Sequence, residues 1–140
     1  MQQRQHILAI VDGTPGGEAP LDIAHRAVEQ GGRATVLVLI SNEDRNHIRA
    51  LADSENLSVG EAEAIYIDRT IELFTARVGG DETSTVVSGG LRNGRAALEA
   101  ASRVHATAVA VPRELAARRA WRNAFGRAPM AVVITPPRVA

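Results

Sequence analysis

Apolar positions along this chain form five short, nearly continuous runs, separated by stretches in which they recur every three or four residues. His6–Val11 is the first run, and Asp12-Gly13-Thr14-Pro15-Gly16-Gly17 closes it with a dense turn signal. A run without polar alternation reads as a strand buried on both faces. Ile23, Ala24, Ala27 and Val28 then mark one face of a helix that stops at Gly31-Gly32. Pro20 deep inside that helix would cost about 3 kcal/mol, so the pattern predicts a start near Gly17 or Glu18 with Pro20 in the first turn.

Ala34–Ile40 is a second strand, rich in β-branched residues. The polar stretch 41–56 predicts at most a weak helix around His47–Ala52. Ser58 and Glu61 form an S-x-x-E capping box that opens a long helix, with Ala64, Ile67, Ile71, Phe74 and Val78 as its buried stripe and Gly79-Gly80 as its stop. Ser84–Ser88 is a third strand, turned by Gly89-Gly90. Arg95–Val104 is a helix facing inward through Ala97, Leu98, Ala101 and Val104. Thr107–Val111 is a fourth strand, Glu114–Phe125 one helix, and Met130–Thr135 a fifth strand.

Strands that alternate with helices and are apolar throughout imply an α/β fold, a doubly wound five-stranded parallel sheet with helices on both faces. Right-handed crossovers restrict its topology, and ligands in such sheets sit beyond the carboxyl ends of the strands where their order reverses. The 140 residues suit one domain, 1–140. The absence of cysteine excludes disulfides, zinc–thiolate sites and thiol chemistry. The longest apolar run, seven residues, is far below the ~18 that suggest a membrane span, so no membrane partner is expected. MQQRQHILAIVD enters the first strand without a cleavable signal pattern, which predicts a cytoplasmic protein. Net charge is zero but unevenly placed. Residues 1–82 hold seven Arg against fourteen Asp and Glu, a net −7; residues 83–140 hold nine Arg against two Glu, a net +7.

With these elements placed, the chain resembles the universal stress protein family over essentially its whole length. HILAIVDGTPGGEAPLDIAHRAVEQGGRATVLVLI is similar to that family's first strand, Asp-Gly-Ser turn, helix and second strand. VVSGGLRNGRAALEAASRVHATAVAV is similar to its third strand, glycine turn, helix and fourth strand, and RAPMAVVI to its closing strand. The resemblance implies a sheet ordered 3-2-1-4-5 and a homodimer built through strand five, at Met130, Val132, Val133 and Ile134. It also implies a nucleotide site. Asp12, Gly13 and Thr14 match the turn whose aspartate contacts the nucleoside, and Leu39 falls near the position whose backbone meets adenine. Val111 and Pro112 fall at the end of strand four, where ATP-binding members carry a glycine pair followed by a Gly-Ser or Gly-Thr that grips the phosphates. Here Pro112 and Arg113 stand at the first glycine, and Gly126 is the only glycine between Gly94 and the C-terminus. Proline has no N–H to donate, so the family's triphosphate grip is not expected.

Each candidate group has two readings. Asp12 could contact a nucleoside or close an Asx turn. Arg113, Arg118, Arg119, Arg122 and Arg127 could clamp a phosphate or carboxylate, or form the wet face of a helix buried through Leu115, Trp121 and Phe125. Trp121 and Phe125 could cover an adenine ring or pack into the sheet. Gly89-Gly90…Gly94 reads as helix packing rather than phosphate binding. The four histidines, His6, His25, His47 and His105, show no pairing with one another or with a carboxylate at a metal-ligand spacing, and His105 reads as a helix C-terminal cap. No nucleophile–base set, P-loop or dinucleotide fingerprint is present, and the basic half offers no stacking platform for nucleic acid. The sequence therefore predicts a non-catalytic binding or regulatory module acting as a homodimer in stress response, with no cofactor, metal or nucleic acid. The alternative is a protein that binds an adenine nucleotide or small anion through Asp12 and the arginines after strand four, Arg113, Arg118 and Arg119. A hydrolase or transferase has the weakest support.

Overall fold

A computed structural model describes residues 4–12, 16–88 and 93–136. Five strands form one parallel sheet: β1 (His6–Val11), β2 (Arg33–Leu39), β3 (Ser84–Ser88), β4 (Ala108–Pro112) and β5 (Ala131–Thr135). Their order is β3-β2-β1-β4-β5, as expected. Among the described residues six helices accompany them: α1 (Pro20–Glu29), α2 (Asn42–Glu55), α3 (Val59–Val78), α4 (Gly94–Arg103), α5 (Arg113–Ala116) and α6 (Arg119–Phe125).

Side chains alternate across the central strands and divide the interior in two. Ile7, Ala9 and Val11 of β1 join Ala108 and Ala110 of β4 under α1, whose Leu21, Ala24 and Ala27 complete that layer with Val78 of α3. Leu8 and Ile10 face the other way with Val109 and Val111, covered by Ala97 and Ala101 of α4, Leu115 of α5 and Trp121 of α6. The alanines Ala9, Ala34, Ala108 and Ala110 leave room for α1 to lie close, because deleting side-chain volume on one face lets the opposing backbone approach. Burial of the central strands at 0–5 % exposure removes their apolar surface from water at roughly 25 cal/mol per Å².

The helix ends follow local chemistry. Pro20 stands at the first position of α1, with residues 16–19 in turns before it. Gly31, just past α1, has φ 86°, a backbone region that glycine enters without steric cost. His105, just past α4, has φ 57°; its N–H reaches Ser102 O, and Ala106 N–H reaches Ala101 O. These are helix-closing bonds of the Schellman type, so His105 acts as the C-terminal cap.

Three expectations need correction. The stretch after β2 is a firm 14-residue helix rather than a weak one at His47–Ala52. Ser41 and Asp44 form a reciprocal capping box at its start, and Ile48 and Ala52 bury against Ala62 of α3 in a third, separate cluster. Of the stripe expected on α3, Val78 is buried, Ile67, Ile71 and Phe74 are half-buried, and Ala64 is exposed. The N-terminal half of α3 turns Ala62 towards α2 instead.

The single helix expected over Glu114–Phe125 is broken into α5 and α6. At 100° per residue an unbroken helix would spread Leu115, Ala116 and Trp121 around its whole circumference. All three are buried in one cluster, and the extended backbone at Arg118 (ψ 139°) is what turns them to the same side.

Candidate functional site

A cleft of about 850 Å³ opens beyond the carboxyl ends of β1 and β2. Its floor is Val11, Asp12, Val38 and Leu39; the turn before α1, the start of α2 and one face of α3 form its walls. The volume lies within the range of small-molecule sites, roughly 300–1,000 Å³.

The walls are held by a polar network. The Asp44 carboxylate accepts hydrogen bonds from the Ser41 N–H and hydroxyl through Oδ2, each 2.8 Å, and from the Tyr66 hydroxyl through Oδ1. That last bond ties the first turn of α2 to α3. Burial raises the Tyr66 phenol above its ordinary pKa, with the Asp44 hydrogen bond and the charges of Asp44 and Glu43 adding to it. The His47 ring stacks on Tyr66, centroids 6.5 Å apart and planes 15° from parallel. Across the cleft Arg77 Nη1 meets Glu18 Oε1 at 2.8 Å and joins α3 to the turn before α1.

The expected site residues fare unequally. Asp12 and Leu39 line the cleft, Asp12 half-buried with its N–H reaching Gly17 O at 3.4 Å. Gly13 and Thr14 lie outside the described residues, as do Gly89 and Gly90. Val111 and Pro112 are buried and line none of the cleft. The fourth strand ends in a packed corner instead. Thr135 Oγ1 donates to Val111 O at 3.3 Å, and Leu115 of α5, 1 % exposed, sits among the core residues of that face. Arg113, Arg118 and Arg119 are exposed on α5, α6 and the link between them, away from the cleft lining.

Met130, Val132, Val133 and Ile134 lie at the β5 edge of the sheet. Met130 and Val132 are half-buried and pack against the core layer that holds Val109, Val111 and Leu115, while Val133 and Ile134 are 38 % and 54 % exposed. Trp121 and Phe125 pack on each other, centroids 5.9 Å apart, within the core layer rather than over the cleft. The histidines correct another expectation. Two pair with a carboxylate one helical turn away, His25 with Glu29 at 3.0 Å and His47 with Glu43 at 3.8 Å. His6 is buried at the opposite end of β1, its Nε2 2.8 Å from Thr35 Oγ1.

Sequence reasoning missed Ser41, Asp44, Tyr66 and Arg69 as cleft residues. Ser41-x-x-Asp44 carries the same capping signature that located the start of α3, so that half of the wall was findable.

No protein-family model matches the chain, and no curated protein matches it by sequence. Solved structures do match by shape. A protein of the universal stress protein family from Burkholderia pseudomallei superposes with TM-score 0.61 at 13% identity, covering 94% of this chain and 96% of that one. The universal stress protein from Archaeoglobus fulgidus in complex with dAMP gives 0.57 at 16% identity, covering 96% and 98%. A universal stress protein in complex with cAMP gives 0.57 at 19%, covering 96% and 98%. At such identities the likeness speaks for architecture, and the strand order agrees with it: this chain has the fold of the universal stress proteins.

Proposed function

We propose that this chain is a non-catalytic binding module of the universal stress protein type, one domain that works in stress response by holding the nucleoside part of an adenine ligand in the cleft beyond β1 and β2. The observation that carries the reading is the open volume beside Asp12 and Leu39. Proteins of this fold have been solved with cAMP and with dAMP, which favours an adenine ligand over other heterocycles. That the chain does without a triphosphate grip after β4 is supported by Pro112, which lacks an N–H, and by the packing of α5 against the strand end.

Thermal shift with adenosine, AMP, ADP and ATP tests this. A ligand at 100 times its Kd stabilises a folded protein by about 2.7 kcal/mol. A rise in Tm with at least one adenine compound supports the reading, and no rise with any of the four refutes it.

The module acts as a homodimer through β5. Val133 and Ile134 are exposed on an edge strand, and pairing such an edge with its symmetry mate removes an association hazard. Val133→Arg should convert dimers to monomers or aggregates by light scattering; an unchanged dimer places the interface elsewhere.

A further inference from the structure

The charge and hydrogen bonding of the cleft carry a statement about its ligand that the fold does not. Taking the adenine reading above as given, we infer that the cleft selects by charge, accepting a nucleoside and rejecting its phosphorylated forms.

Five carboxylates line the cleft, Asp12, Glu18, Asp22, Glu43 and Asp44, against two guanidinium groups, Arg69 and Arg77. Arg77 is already engaged by Glu18 at 2.8 Å. That leaves Arg69 as the one cleft arginine outside an ion pair among the described residues. Asp44 cannot swing aside, because three hydrogen bonds from Ser41 and Tyr66 fix its carboxylate in the wall. A phosphate placed here meets the held carboxylate of Asp44 and the other acids of the lining.

Backbone donors among the described residues offset this only in part. Helix N-termini ordinarily attract anions because their first N–H groups lack partners. Two such ends face this cleft, and the chain itself takes up the donors at α1 and part of those at α2. At α1, Pro20 has no N–H, while those of Ala19, Leu21 and Asp22 reach Gly16, Glu18 and Ala19 carbonyls at 3.0–3.1 Å. At α2, Asp44 N–H goes to Ser41 Oγ at 3.1 Å and Arg45 N–H to Ser41 O at 3.1 Å. Each helix also carries its own acid in the first turn, Asp22 in α1 and Glu43 with Asp44 in α2. These carboxylates take the place at the positive end of the dipole that a phosphate would need. A neutral base and ribose meet none of this repulsion, and Tyr66, His47, Phe74 and Leu73 offer them apolar and aromatic wall.

Isothermal titration of the full chain with adenosine, AMP and ATP at low ionic strength decides the matter. Adenosine should bind at least about tenfold more tightly than AMP, and ATP more weakly still. Raising salt should narrow the adenosine–AMP gap, since exposed charges are screened over about 10 Å at 0.1 M. In the double variant Asp22→Asn, Glu43→Gln the ratio of the two affinities should fall by at least about threefold. AMP or ATP binding as tightly as adenosine, or a ratio unmoved in the double variant, overturns the charge selection while leaving the adenine site in place. Failure of all three compounds to bind overturns the adenine site itself, and the selection with it.

Discussion

Gly94 is a point of close approach between α4 and α6, and replacing it tests how that layer is built. It is the first residue of α4 and is buried. A Cβ added there would lie 2.8 Å from Trp121 O, 3.0 Å from Trp121 Cα and 3.0 Å from Ala124 Cβ. Two of those atoms are α6 backbone, which cannot rotate away, so α6 must shift as a unit. Overpacking of this kind costs about 1–3 kcal/mol. Alanine recovers at most about 1 kcal/mol of helix propensity, and less at a first position. Gly94→Ala should therefore destabilise by about 1–2 kcal/mol. Gly60 supplies the control: it too stands in the first turn of a helix, at the start of α3, but a Cβ there meets nothing within 4 Å. Gly60→Ala should stabilise by roughly 0.5 kcal/mol through the unfolded chain. Urea unfolding followed by the fluorescence of Trp121, the only tryptophan, reads both. With a slope of about 1–3 kcal/mol per molar, the Gly94→Ala midpoint should fall by roughly 0.3–2 M and the Gly60→Ala midpoint rise slightly. Midpoints that move in the same direction, or a Gly94→Ala midpoint at or above wild type, would refute the close approach of α4 and α6.

Three further outcomes follow from single side chains. Burial, and then the charge of Arg33, hold the His6 imidazole below its ordinary pKa; its neutral form is favoured by folding, so this stability is fully present above the unfolded value near 6.5 and is lost as pH falls through the folded one. The urea midpoint should drop between about pH 7.5 and 5.5, and the drop should shrink in His6→Gln; equal slopes would contradict the burial argument. Tyr66→Phe removes the hydroxyl that ties α3 to Asp44 and should cost about 1 kcal/mol, with faster amide exchange in the first turn of α2; unchanged exchange there would mean the bond does not anchor the helix. Leu115→Ala empties a fully buried position beneath α5 and should cost about 2–5 kcal/mol by chemical denaturation, whereas an exposed α5 would lose under 1 kcal/mol.

The strands were legible because period and composition agree in them: runs such as Ala34–Ile40 have no polar face to expose, and only the centre of a covered sheet satisfies that. The bounds of β3 were read to the residue because Gly79-Gly80 and Gly89-Gly90 punctuate it. The helices that periodicity misjudged were misjudged for two different reasons. The stretch 42–55 has low mean hydropathy and contributes only Ile48 and Ala52 to burial, so a search for an apolar stripe undervalues it, although its capping box is complete. The break at Ala117–Arg118 carries no glycine or proline. It is imposed by the tertiary demand that Leu115 and Trp121 both point inward, which no local signal encodes.

The cleft eluded the sequence for a related reason. Its floor comes from strand ends whose position the fold class predicts, and Asp12 and Leu39 were found that way. Its walls depend on where α2 stands. That helix packs on α3 through Ile48, Ala52 and Ala62, a cluster separate from the one that fills the space between α1 and the sheet. Because α2 leans on α3 and not on the strands, a gap remains beyond β1 and β2, and the residues at its border are free to be polar. At β4 the opposite holds: α5 and α6 drive Leu115, Ala116 and Trp121 into the layer over Val109 and Val111, and the strand end is filled. The carboxyl edge of the sheet is open beyond β1 and β2 and closed beyond β4 through the same cause, the presence or absence of large apolar residues packed into the connection that follows. A chain that gave the β4 connection glycines in place of Leu115 and Ala116 would lose that filling, and a second open volume would form beyond β4.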